Sequence, residues 1–176
     1  ADPPKFGELI FAAGDLDTNL FEEWIGAASE LVEGVTLYTS DRDGAVLFSE
    51  GLRNLSRFLG SDDDPKSRVG VYRDGKTPFV SSLRVGKGNT GSVDTIDISD
   101  LSKRSFWGVL DVTNWFVDNH ATYANSTTVT DDILELICAS SAKLERPSPS
   151  KRSNFSRSNR GKYWVYSSRR LSRSAV

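Results

Sequence analysis

The sequence predicts an α/β fold built on parallel strands with flanking helices. Two observations carry this. Three apolar, β-branched runs of strand length, FGELIFAA (6–13), GVTLYTS (34–40) and VDTIDIS (93–99), punctuate the chain, and helical periodicity follows each of the first two. Strand, helix, strand, helix is the order that gives a parallel sheet, because parallel neighbours need a crossover between them. At 176 residues, 38% hydrophobic and 26% charged, the composition is that of one ordinary domain able to bury a core without staples.

The first run ends at Gly14 and reads as a buried strand with the loop GDLDT at its carboxyl end. Thr18 is placed as the N-cap of a helix over NLFEEWIGAASELVE, in which Leu20, Phe21, Trp24, Ala27, Ala28 and Leu31 recur at helical spacing until Gly34 stops it. The second strand, GVTLYTS, leads through the turn DRDG into a helix over AVLFSEGLRNLSRFL, with Val46, Leu47, Leu52, Leu55, Phe58 and Leu59 on its apolar face. Residues 60–92 form a long polar connection with one short strand-like piece, RVGVYRDG. VDTIDIS is the third strand. An irregular aromatic segment, SFWGVLDVTNWFVDN, then leads to the single histidine, His120, and a last helix runs through TDDILELICA, capped by Ser126 or Thr130. The single cysteine, Cys138, excludes a disulfide framework and is expected to be a buried thiol on the apolar stripe of that helix.

The net charge of −2 conceals an asymmetry: residues 143–176 hold 10 of the 22 basic residues and one of the 24 acidic ones. The domain is therefore expected over 1–142, with 143–176 a basic, Ser/Arg-rich tail that is disordered or held only by contact with the acidic body. Phe155, Tyr163, Trp164 and Tyr166 among the arginines are the pattern that stacks on and neutralises RNA, but a solvated tail is the stronger expectation, so nucleic acid is not expected as a partner. No apolar run approaches the roughly 20 residues that span a bilayer, and the first residues have no signal-peptide pattern. No membrane span is expected, and the default location is the cytoplasm. One histidine and scattered aspartates give no zinc-ligand spacing, and GKGNTGS lacks the P-loop spacing, so neither metal nor cofactor is expected.

Open α/β sheets place reacting groups on loops at the carboxyl ends of their strands. Here those loops hold Asp15 and Asp17 after the first strand, Asp41 and Asp43 after the second, and His120 after the third. A carboxylate that precedes a histidine in the chain, each beyond a parallel strand, is the order in which an acid orients an imidazole that serves a nucleophile.

PKFGELIFAAGDLDTNLF, VTLYTSDRDGAVLFSEGLR, VDTIDISDLS and DNHATYANSTTVTDDILELI, spread over residues 3–137, together resemble the carboxyl-terminal half of a bacterial α/β-hydrolase family of unknown function. The resemblance implies a partial α/β-hydrolase fold with three main strands, an acid at Asp43 of SDRDGA and a base at His120 of NHATY. Asp43 would accept the Nδ1 proton of His120 and leave Nε2 free as the base. Asp41 is the neighbouring alternative, and Asp15 and Asp17 are backups. Tyr123 and Asn125 lie close enough in the chain to shape a pocket. The nucleophile of such enzymes sits in G-x-S-x-G, and no two glycines of these 176 residues flank a serine at that spacing.

The expectation is therefore half a hydrolase, inactive on its own, of a lineage acting on small ester substrates. Its first strand lacks a neighbour, so association through that edge is expected, with a second copy or with an amino-terminal half bearing the serine. The competing expectation is a non-catalytic binding or assembly module whose basic tail engages anionic partners.

Overall fold

The structure, a computed structural model, describes residues 6–12, 15–43, 68–70, 77–86, 91–101, 122–141, 146–147, 149, 152, 155–158 and 162–166. His120, the helix expected over 45–59 and the aromatic segment 105–119 lie outside the described residues. Among the described residues five strands, β1 (Phe6–Ala12), β2 (Val32–Thr39), β3 (Val93–Asp97), β4 (Phe155–Arg157) and β5 (Trp164–Tyr166), form one sheet in the order β1-β2-β3-β5-β4. The described helices are α1 (Thr18–Ala28), α2 (Thr122–Asn125) and α3 (Thr127–Ser141), with a 3₁₀ turn at Ser99–Leu101. The class is α/β with a mixed, mostly parallel sheet: β1, β2, β3 and β5 are mutually parallel neighbours, and β4 is antiparallel to β5.

The three strands expected from sequence are present, but α1 ends at Ala28 where the periodicity ran to residue 33. The chain turns at Ser29–Leu31, closed by the Leu31 amide donating to the Ala28 carbonyl at 2.8 Å, and Val32 already pairs with Phe6. Strand pairing of a β-branched residue has outcompeted one more helical turn. The cap also shifts by one residue. Asp17, not Thr18, is the N-cap, and its Oδ1 accepts from the amides of Asn19 (2.9 Å) and Leu20 (3.2 Å). At the other helix, Ser126 immediately precedes α3, and its carbonyl accepts from both the amide and the hydroxyl of Thr130. Thr130 thus lies within the first turn.

The register sorts side chains onto two faces. Leu9 and Phe11 of β1, Val35 and Leu37 of β2 and Val93 of β3 face α1, where Phe21 and Ile25 complete an apolar cluster with Val69, Val85, Phe79 and Leu83. Phe21 packs edge-on against Phe11 and Phe79, with ring centroids 5.0 and 5.7 Å apart. On the opposite face, Ile10, Tyr38 and Ile96 pack with Ile98, Tyr123, Val129, Ile133, Phe155 and Trp164. Val129, Asp132, Leu136 and Ala139 form the buried stripe of α3. Cys138 is exposed, because it falls one residue off that stripe, next to the exposed Leu134 and Ile137.

The segment expected as a disordered tail beyond residue 142 contributes two strands to the same sheet, so no domain boundary falls at 142 among the described residues. Phe155 is fully buried in the second cluster and Trp164, partly buried, packs against it. Two arginines of the segment reach the carboxylates of the sheet's second face. Arg146 pairs with Glu8 (2.6 Å) and Asp94 (2.5 Å), and the fully buried Arg152 pairs with Asp132 (2.9 Å) and Asp94 (3.5 Å). The Tyr38 hydroxyl donates to the same Asp132 carboxylate.

Charges this deep are governed by desolvation against pairing. Burial opposes the charge on Arg146, but the hydrogen bonds and charges of Glu8 and Asp94 outweigh it and raise its pKa. Burial raises the Asp132 carboxyl, against the opposing pull of Arg152 and the Tyr38 hydroxyl. Burial first, then the Asp132 charge and hydrogen bond, pushes Tyr38 well above the ordinary phenol range.

Candidate functional site

The carboxyl ends of β1, β2 and β3 form one rim, as parallel neighbours must, and the candidate aspartates Asp15, Asp17, Asp41 and Asp43 follow the first two of these strands on it. Asp43 is wholly buried, four residues beyond the end of β2. The turn that carries it is fastened to the exit of β3. The Asp41 amide donates to Ser99 Oγ at 2.9 Å, Arg42 Nη1 donates to the Ser99 carbonyl at 2.7 Å, and the Ile98 amide donates to the Thr39 carbonyl at 2.9 Å. Ser99 is held in turn by Asp97, whose Oδ1 accepts from the Ser99 amide at 2.9 Å and from its hydroxyl at 2.6 Å. This is an aspartate closing a turn on the residue two positions on, the local chemistry that stops a strand.

Of the other aspartates of the rim, Asp17 caps α1. Asp15 pairs with Arg68 at 3.1 Å, and the Arg68 guanidinium also donates to the Asp15 carbonyl at 3.0 Å. The short piece Arg68–Gly70 ties the rim together on this side, since the Val69 amide donates to the Leu16 carbonyl and the Ser40 amide to the Gly70 carbonyl, both at 3.0 Å. Asp41 stands beside Arg42 Nε at 3.5 Å. Asp43 is the fully buried aspartate of the rim, the environment in which a carboxylate can hold a fixed partner without competition from water.

Two serines on the rim could be mistaken for nucleophiles. Ser99 Oγ donates to Asp97 and accepts from the Asp41 amide, and Ser40 Oγ accepts from the Arg42 amide at 3.1 Å. Both hydroxyls act as turn fasteners, a role that needs neither an adjacent base nor oxyanion donors. Sequence reasoning missed Arg42 and Ser99 as the clamp between the two loops. The D-x-S of Asp97–Ser99 and the S-x-R of Ser40–Arg42 were the available signals.

His120 lies outside the described residues; the chain leading to it leaves β3 through the Ser99–Leu101 turn that Arg42 holds. Of the pocket-shaping candidates, Tyr123 belongs to the buried cluster on the α3 face, whereas Asn125 is exposed. Among the described residues no group of three or more histidine, cysteine, aspartate or glutamate side chains is placed to hold a metal ion. No described helix is long and apolar enough to cross a membrane. No protein-family model, no curated protein and no solved structure matches this chain.

Proposed function

We propose that this chain carries the acid and the base of an α/β-hydrolase-type triad, with Asp43 orienting His120, and that a serine from outside these residues is the nucleophile. The observation that supports it most is the buried Asp43 on the rim beyond β2, clamped to the point where the parallel neighbour β3 hands the chain on toward His120. In such a triad the carboxylate accepts Nδ1–H, fixes the tautomer and stabilises the imidazolium that forms when Nε2 takes the nucleophile's proton. The substrate class that goes with this lineage is a small carboxylic ester.

Because His120 is the single histidine, its tautomer can be read directly by long-range ¹H–¹⁵N correlation. The neutral ring is expected as Nδ1–H, and Asp43→Asn is expected to disturb that preference; a wild-type ring in the Nε2–H form would overturn the pairing. With no G-x-S-x-G in the sequence, the chain by itself is expected to turn over a p-nitrophenyl ester no faster than its His120→Ala variant. Turnover that disappears in His120→Ala would place a nucleophile within these residues and refute that part of the reading.

Among the described residues β1 ends the sheet and no strand pairs with its outer side. The same reading expects a further strand there, from a second copy or from the segment bearing the serine, and sedimentation of concentrated protein as a monomer would count against the first. The competing reading, a module whose basic segment binds anionic partners, loses support at Arg146 and Arg152, since both are taken by the chain's own carboxylates.

A further inference from the structure

On the α3 face of the sheet, Glu8, Thr36 and Asp94 line a slot in which the Arg146 side chain lies. Nε of Arg146 donates to Glu8 Oε2 at 2.6 Å, and Nη2 donates to Glu8 Oε1 at 2.8 Å and to Thr36 Oγ1 at 3.1 Å. Nη1 donates to Asp94 Oδ2 at 2.5 Å. One carboxylate therefore takes the guanidinium fork edge-on while a second meets its other end, and the Thr36 hydroxyl is oriented by its own donation to Glu8 Oε1 at 2.7 Å. The floor is Gly34, where any Cβ would overlap the guanidinium. Glu8 and Asp94 are almost wholly buried, so without a cation the slot would hold two desolvated carboxylates. Two facing carboxylates, an aligned hydroxyl and a bare backbone floor fit a planar fork far better than a compact ammonium.

We propose that this slot is a guanidinium-binding site, that its resident ligand is Arg146, and that β4 and β5 are latched onto the sheet as a strap by that ligand. Strand pairing alone holds the strap by little: β5 meets β3 at Ile96↔Trp164 and Asp97↔Val165, and β4 pairs with β5. Arg152 adds a second contact with a poorer fit, since its Nε and Asp132 Oδ1 are buried without a hydrogen-bond partner among the described residues. The latch rests on Arg146 and not on the Asp43–His120 pairing, so each can fail without the other.

The test is segment-resolved hydrogen exchange on the full chain. Arg146→Ala is expected to speed exchange of the β4 and β5 amides about a hundredfold or more while β1 and β2 stay protected, as loss of one partner from a buried ion pair predicts for a locally opening unit. Millimolar methylguanidinium is expected to restore protection in Arg146→Ala. It is not expected to do so in Gly34→Ala, where the seat itself is blocked and the strap is loose although Arg146 is present. Arg146→Lys is expected to resemble Arg146→Ala. Unchanged protection in Arg146→Ala, full protection in Arg146→Lys, or equal rescue of the Gly34→Ala variant would each overturn the proposal. Should Arg146→Ala unfold the whole chain, refolding by methylguanidinium supports the seat, and failure to refold overturns it.

Discussion

The two faces of the sheet are made by the same strands and hold together by different physics. The α1 face is dry: Leu9, Phe11, Val35, Leu37 and Val93 meet Phe21 and Ile25, and nothing in that cluster depends on charge. The α3 face mixes Ile10, Tyr38 and Ile96 with Glu8, Asp94 and Asp132, whose countercharges come from Arg146 and Arg152. Burial of apolar area is non-directional and tolerates imperfect geometry, whereas buried carboxylates are costly unless particular cations arrive. The described members of the α1-face cluster all lie within residues 9–93, while the other face is completed only when a segment more than a hundred residues away returns to Glu8 and Val35.

This difference can be broken most severely at Arg152. Arg152→Ala leaves Asp132 without its cation in the core, and a loss of about 3–5 kcal/mol is expected by urea denaturation. Leu37→Ala on the dry face is expected to cost about 2–5 kcal/mol from lost burial and a cavity. The two losses separate by pH dependence, because the buried titrating groups Tyr38 and Asp132 lie on the α3 face and the α1-face cluster is apolar. Tyr38 sharpens that contrast: its folded form keeps its proton where an unfolded tyrosine, with a pKa of about 10, gives it up. The folded state then binds more protons, so this share of stability is complete below about pH 10 and is lost as the pH rises above it. Tyr38→Phe is expected to blunt alkaline unfolding relative to wild type. A steep alkaline loss that survives Tyr38→Phe unchanged would place its source elsewhere.

Smaller effects lie at the margins of the dry face. Asp17→Ala removes the cap of α1 and is expected to cost about 1 kcal/mol. Trp24, half exposed on the outside of α1, is expected to tolerate Ser within about 0.5 kcal/mol.

What could be read in the sequence follows the same division. β1, α1, β2 and β3 announce themselves by apolar periodicity, and their parallel order follows from the helix between the first two. The errors fall where tertiary contact decides. Val32 joined a strand because Phe6 was there to pair with it, and Cys138 turned outward because the stripe of α3 runs through Leu136 and Ala139. The basic segment looked like a solvated tail because it holds a single acidic residue; the carboxylates that pair with Arg146 and Arg152 lie elsewhere in the sequence, and only the opposite charge of the two regions hinted at the pairing. At the rim, the position of Asp43 after a strand was legible, whereas its burial and the Arg42–Ser99 clamp depend on β3 lying alongside β2.

The most direct measurement of the central claim is the titration of the His120 ring in the wild type and in Asp43→Asn, followed by NMR. A carboxylate on Nδ1 stabilises the imidazolium, so the wild-type midpoint is expected above the ordinary value of about 6.5, and the variant is expected to fall by about one unit or more. Identical midpoints in the two proteins would contradict the pairing of Asp43 with His120.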